Sequence, residues 1–208
     1  MRRLVSLIVP VVLLVAAGTA QALPHVPQPA PPVANNPADA FVAGPIENSV
    51  YDPATKCAPK TKPGMVELQH WLETNVRGVF WGSYRCEKWG KDSASLHAEN
   101  RAIDWHLDAA LRADRRAARD LVELLLAADA AGSEQALARR MGVEELIWDC
   151  AYWAAGMAEL KPYAPCYARR GRLRRNVNRT VAHRDHIHIG MTKAGAGART
   201  SFWRFHTG

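Results

Sequence analysis

Two segments of the chain concentrate residues able to do chemistry: His97 to Asp104, and the run His183-Arg-Asp-His-Ile-His188. Together they supply two imidazoles and a carboxylate for one metal ion, with further His and Asp residues beside them. A catalytic zinc site takes three protein ligands of these types and leaves a position for water, whose pKa then falls to about 7. Residue types and clustering point to a metal-dependent hydrolase.

The spacing says how the ligands must be carried. His97 and Asp104 are seven positions apart, which spans about 10.5 Å on a helix and about 23 Å on a strand. Neither element closes one coordination sphere, so the chain between them must turn. Asn100 is the natural turning residue, because Asn tolerates positive φ. Ala102 to Trp105 then reads as a strand. His186-Ile-His-Ile189 alternates polar and apolar, which predicts a half-buried strand with both histidines on one face and both isoleucines in the core.

The elements that position these segments read as follows. Gly64 to Val76 has the spacing of a helix, with Met65, Leu68, Trp71 and Leu72 facing a core. Gly78 to Tyr84 reads as a strand ending near Arg85. Arg115 to Ala130 is the strongest helix, with Leu121, Leu124, Leu125 and Ala128 on one stripe. Gly132-Ser133 breaks it, Ser133 can cap a short second helix, and Gly142 ends that one. Strands over Glu145–Asp149 and Asp185–Met191 flank a Pro- and Arg-rich insertion, Lys161 to Thr180, without clear period. A Ser201-Phe-Trp-Arg-Phe205 cluster closes the chain and is expected to pack on the domain. Strands interrupted by helices of unequal length predict an α+β fold, a small antiparallel sheet backed by helices.

The N-terminus and the cysteines speak to compartment. Met1-Arg-Arg3 is a basic start, Leu4 to Ala17 is apolar apart from Ser6, and Ala20-Gln-Ala22 offers a cleavage pattern. Residues 1–22 therefore read as a secretory signal peptide; the apolar run is short of the roughly 20 residues a spanning helix needs. Residues 23 to about 50 contain seven prolines and read as an extended linker. Residues 51–208 are the size of one domain. Cleavage after Ala22 removes two arginines, leaving 25 bases against 20 acids, a mature charge of +5. Six arginines fall between Arg169 and Arg179 with no acid among them. For an exported chain an anionic envelope polymer is a better partner for such a patch than nucleic acid, and a solvated loop is the plainer reading. Cys57, Cys86, Cys150 and Cys166 form no Cys-x-x-Cys pair, and an even count in an exported chain argues for disulfides. Of the three pairings, Cys57–Cys86 with Cys150–Cys166 is favoured, because each closes a modest loop around the proposed site.

The motifs also carry a resemblance. Ser95-Leu-His97-Ala-Glu-Asn-Arg101-Ala102-Ile-Asp104 resembles the Ser-x-His-x-x-Gly-x-Ala-x-Asp motif of zinc D-Ala-D-Ala carboxypeptidases and their dipeptidase and endolysin relatives. Gly82-Ser-Tyr-Arg85 looks like the strand end that precedes that motif, and His183-Arg-Asp185-His186-Ile-His188 is similar to the His-x-Asp-His-x-His pattern of the carboxypeptidase branch. The resemblance covers about Gly82 to Gly190. More broadly, Tyr51 to the C-terminus looks like a secreted actinobacterial domain built on this motif set. It implies that His97, Asp104 and His188 bind Zn²⁺, that Asp185 is the general base, and that His183 helps stabilise an oxyanion. His186 would support the ligands from outside the coordination sphere, and Arg85 would anchor a substrate carbonyl or carboxylate. The implied fold is the one shared with Hedgehog signalling domains, and the implied substrates are peptidoglycan stem peptides. The chain departs from the pattern where Asn100 replaces Gly, at some steric cost. Asp185 also differs from His188 in strand parity, so it must lie at a bend or bulge to act as base; His186, on the correct face, is the other candidate. Two competing readings are a zinc-stabilised envelope-binding module without turnover and a disulfide-stabilised binding domain without metal.

Overall fold

The computed structural model describes residues 45–48 and 50–206. The signal peptide over 1–22 and nearly all of the linker over 23–50 lie outside the described residues. Helix α1 (Pro63–Asn75) is followed by β1 (Val79–Gly82) and a small hairpin of β2 (Lys88–Gly90) and β3 (Ser93–Ala94). A 3-10 turn over Leu96–Glu99 leads into β4 (Ala102–His106). Then come α2 (Arg112–Leu126), α3 (Ala136–Met141), β5 (Val143–Trp148), β6 (Ala151–Ala154) and β7 (Lys161–Pro162). The chain ends through β8 (His186–Met191), α4 (Lys193–Ala196) and α5 (Ser201–His206). Six strands form one sheet in the order β1-β4-β8-β5-β6-β7, with every pairing antiparallel. The α+β class with an antiparallel sheet backed by helices is as expected.

Period-2 alternation divides the sheet into two faces. Ile103 and Trp105 of β4 and Ile187 and Ile189 of β8 point to one face and are buried among Met65, Leu68 and Leu72 of α1, Leu121 and Leu125 of α2, and Phe202 and Trp203 of α5. Phe202 and Trp203 of the terminal aromatic cluster are thus part of the core, while Phe205 is exposed. The opposite face carries Asp104 and His106 of β4 against His188 and His186 of β8.

Three sequence expectations need correction. Helix α2 stops at Leu126, so Ala128 is not on its stripe; the buried positions are Asp114, Ala118, Leu121, Val122 and Leu125. Beyond it, Asp129 organises the turn, accepting the Ala131 and Ser133 N–H groups and pairing with Arg140 at 2.9 Å. Ser133 is therefore a turn residue and not a cap; Gln135, in the left-handed conformation, precedes α3, while Gly142 does end it. Strand β6 was not foreseen. It follows β5 through Asp149 and Cys150, whose φ values of 41° and 65° make a two-residue hairpin turn of the type that matches strand twist. Asp-Cys lacks the Asn-Gly signature by which such turns are read.

A strap of chain, Val50 to Thr55, is fastened across the ends of β4, β5 and β8 by one buried cation. Arg101 has no exposed surface. It donates to Glu144 Oε1 at 2.6 Å, Glu99 Oε2 at 3.0 Å, the Met191 carbonyl at 2.7 Å and the Asp52 carbonyl at 2.6 Å. The two carboxylates in turn accept the Asp52 and Thr55 N–H groups. Burial pushes the Glu144 carboxyl up to about 7 against the pull of Arg101. Removing Arg101 strands two buried acids, so Arg101→Met is expected to cost about 3–5 kcal/mol at pH 8. The cost should shrink toward pH 5, where the stranded acids take up protons. Urea unfolding at the two pH values measures both, and a cost that does not change with pH would show that the acids find other partners.

Candidate metal centre

Strand pairing builds half of the site. In the β4–β8 register Asp104 lies directly across from His188, so their side chains share one face at neighbouring positions. His97 arrives from the 3-10 turn. Ser95 Oγ accepts the His97 N–H at the start of the turn, and Asn100 ends it in the left-handed conformation (φ 52°, ψ 51°). That is the turning role expected of Asn100, and its amide is anchored by donating to the Pro59 carbonyl at 3.0 Å. Gly190 lets the turn approach the sheet: a Cβ there would stand 2.3 Å from Leu96 Cδ1 and 3.0 Å from Glu145 Cβ. The disulfide Cys57–Cys86 forms as favoured, with Cα atoms 5.3 Å apart, and ties the chain just after the strap to the segment after β1 that carries Arg85.

His97, Asp104 and His188 are all buried and form a group that could hold a metal ion. His97 Nε2 is 3.0 Å from Asp104 Oδ1 and 3.0 Å from His188 Nδ1, and His188 Nδ1 is 3.3 Å from Asp104 Oδ1. Ligands on a tetrahedral ion with bonds of about 2.0–2.1 Å are roughly 3.3 Å apart, so the triangle has the right size. The tautomer is also right. His97 Nδ1 lies 2.8 Å from the Ser83 carbonyl, which can only accept; the proton is therefore on Nδ1, and Nε2 turns a lone pair inward. Burial lowers the His97 pKa, outweighing its contact with Asp104. Burial alone would raise the Asp104 pKa, but contacts with His188 and His97 hold it far below the usual carboxylate range. His188 is wholly desolvated, which disfavours its charge, yet Asp104 and Glu145 together lift it to about 9.

The remaining expected residues surround this group. Asp185 sits at a bend immediately before β8. Its Oδ1 accepts from His186 Nδ1 at 2.8 Å and its Oδ2 from Thr180 Oγ1 at 2.7 Å. His186 Nε2 in turn stands 3.5 Å from Asp104 Oδ1. Asp185 therefore meets the ligand group through His186. Arg85 places Nη1 2.5 Å from Asp104 Oδ2, so one N–H of its guanidinium goes to that carboxylate while about half of the side chain remains exposed. His183, with φ 50°, has its ring centroid 4.6 Å from that of His186, in a tilted contact, and 5.9 Å from that of His188, edge-on. Burial and those two imidazoles push it down to about 3. Its position is set from behind, where the Asp149 and Cys150 N–H groups donate to the His183 and Ala182 carbonyls. Cys150 is bonded to Cys166, the second favoured pair. His106 is turned to the Asp185 carbonyl. An open groove of about 680 Å³ runs over the site, walled by Tyr51, Trp89, Tyr152, Tyr163, Val181 and His183.

Sequence reading missed Glu145. It lies on β5, beside β8, with Oε1 3.0 Å from His188 Nε2. That contact is at ion-pair distance but poorly aligned as a hydrogen bond, since His188 Nε2 lacks a partner of good geometry. Tyr51 of the strap donates its hydroxyl to the other oxygen at 3.2 Å, and Tyr152 faces the same carboxylate, which with burial raises its phenol to about 12. Contacts with His188 and Tyr51 keep Glu145 ionised despite its burial. A carboxylate behind a ligating imidazole fixes its tautomer and increases its basicity. Glu145→Gln is expected to weaken metal binding by about 10–100-fold, and Tyr51→Phe by less. Chelator competition measures both; unchanged affinity in Glu145→Gln would remove Glu145 from the site.

Compared with known proteins, the chain matches no family model, no curated protein and no solved structure.

Proposed function

We propose that the chain is a zinc-dependent peptidase of the cell exterior, acting on peptidoglycan stem peptides, with the fold of D-Ala-D-Ala carboxypeptidases and Hedgehog domains. One observation carries the reading. Three buried ligand atoms converge at 3.0–3.3 Å, the His97 proton is held away from them by Ser83, and an open groove runs over the group. The donor set of two imidazoles and one carboxylate suits zinc, which takes four positions and leaves one for chemistry. The two disulfides are compatible with an oxidising compartment, and among the described residues no helix is long and apolar enough to cross a membrane.

Zinc bound there would polarise an amide carbonyl and supply a nucleophile at neutral pH. The chain's own residues would divide the rest. His186 holds its Nδ1 proton against Asp185, leaving Nε2 to accept a proton at the inner face of the groove. Asp185 orients that ring, and Thr180 orients Asp185. We therefore assign proton acceptance to His186 and the partner role to Asp185, the second of the two assignments left open by strand parity. His183 shares its Nδ1 proton with the Val181 carbonyl at 3.3 Å and stays neutral, so its Nε2 accepts rather than donates. Charge developing on a substrate oxygen would then fall to the metal and to Arg85 at the groove's edge.

A second reading has its own support. His188 lies between Asp104 and Glu145, and a doubly protonated His188 would satisfy the same contacts as a structural ion cluster without metal. Metal analysis of the purified chain separates the two. We expect near-stoichiometric zinc, lost in His97→Ala and His188→Ala and kept in His106→Ala. Zinc-free protein after zinc-supplemented expression would sink the peptidase reading, and zinc without any muropeptide turnover would favour a zinc-stabilised binding module.

The proton-transfer assignment is tested by two variants with metal content checked in each. His186→Ala should lose about 10²–10⁴-fold in muropeptide cleavage. Asp185→Asn should keep its zinc and lose activity because His186 is no longer held in the right tautomer. A severe Asp185→Asn beside a mild His186→Ala would return the base role to Asp185.

A further inference from the structure

The arginine run that sequence reading left between a partner site and a solvated loop is folded. Tyr167 and Leu173 form a bridge, the Ala168 N–H donates to the Arg172 carbonyl, and the Arg174 N–H donates to the Cys166 carbonyl. The reversal is made by Arg170 and Gly171, both with positive φ. The base of this hairpin is the Cys150–Cys166 disulfide, packed with Ala182, Tyr163, Tyr167 and Val177 as a small core of its own. Its orientation is therefore fixed relative to the sheet.

Charge and location are both informative. Arg169, Arg170, Arg172, Arg174 and Arg175 are exposed, and no acidic residue occurs between Glu159 and Asp185. Arg174 spends one N–H on the Tyr167 carbonyl; the other four have no ion-pair partner among the described residues. Such a concentration of like charge on an ordered hairpin is self-repulsive and is relieved by an anionic ligand. Guanidinium groups engage carboxylates through paired N–H donors. The flanks of the hairpin, Tyr163 on one side and Thr180, Val181 and His183 on the other, are the groove wall. The chain on both sides of the hairpin thus leads directly into the groove wall.

We propose that the Arg169–Arg175 hairpin is a polyanion-binding rail beside the groove, which holds carboxylates of the polymer whose peptide enters the groove. The identity of the polymer rests on the peptidase reading; anion binding by the rail does not.

The test is co-sedimentation of the mature chain with purified peptidoglycan sacculi stripped of phosphate polymers, at low and high salt, beside sacculi whose carboxylates have been amidated. Wild type should pellet with stripped sacculi at low salt and be released at high salt. The Arg169→Gln, Arg170→Gln, Arg172→Gln, Arg175→Gln variant, checked for wild-type unfolding temperature, should bind about ten-fold more weakly, since each exposed pair contributes little and four act together. Amidated sacculi should bind wild type as poorly. Equal binding of the variant, or wild-type binding indifferent to amidation, would overturn the rail. Binding that disappears on removal of phosphate polymers would overturn the choice of carboxylate. A wild type without zinc but with the predicted pelleting pattern would fail the peptidase reading and leave the rail standing.

Discussion

Two imidazole nitrogens and a carboxylate oxygen, each within 3.3 Å of the others and shut away from water, repel one another unless a positive charge stands among them. Everything near the site serves to hold that arrangement in place. Ser83 keeps the His97 proton on the outer nitrogen. Glu145 supports His188 from behind, and Arg85 offsets part of the charge on Asp104 from outside. A proton on His188 or a metal ion can satisfy the inner face. The donor types and the separation of the three atoms match a small divalent cation, and the groove gives such a cation a reason to be there.

The centre depends on two kinds of scaffold. Asp104 and His188 are set by strand register, which a single-residue slip of either strand would destroy by turning that strand's residue to the core face; Ile103, Trp105, Ile187 and Ile189 on that face make the slip prohibitive. His97 depends on a turn, and turns are held by what lies behind them. Here that is the strap fastened by Arg101 through Glu99, Glu144 and Asp52. The same strap delivers Tyr51 to Glu145. One buried cation thus underlies both the His97 turn and the support of His188.

The residues with period or unusual chemistry were readable from the sequence. Alternation placed His186 and His188 opposite the core, the incompatibility of seven residues with either helix or strand forced a turn at Asn100, and loop size selected the observed disulfides. What could not be read depends on which strand lies beside which. Glu145 is one of several acids in its region, and nothing local says that β5 pairs with β8. Strand β6 follows a turn made from Asp149 and Cys150 instead of glycine, and α2 ends where Asp129 builds a turn through tertiary contact with Arg140; neither leaves a local signal. Parity required a bend only if Asp185 were the base; the bend is present, and it joins that carboxylate to His186.

The two halves of the site are held by different parts of the fold. The ligand triad sits on central strands and a turn closed by Cys57–Cys86, while His183, Asp185 and Thr180 belong to the segment that descends from the arginine hairpin. That segment is secured by the β5–β6 turn, where Asp149 and Cys150 donate to its carbonyls, by Arg184 on Asp149 at 2.9 Å, and by Cys150–Cys166. The second disulfide is thereby common to the groove wall, the hairpin and the residues that would move protons, and it touches none of the ligands. The residues proposed for metal binding and those proposed for proton handling are held by separate constraints, so a substitution in one set need not disturb the other.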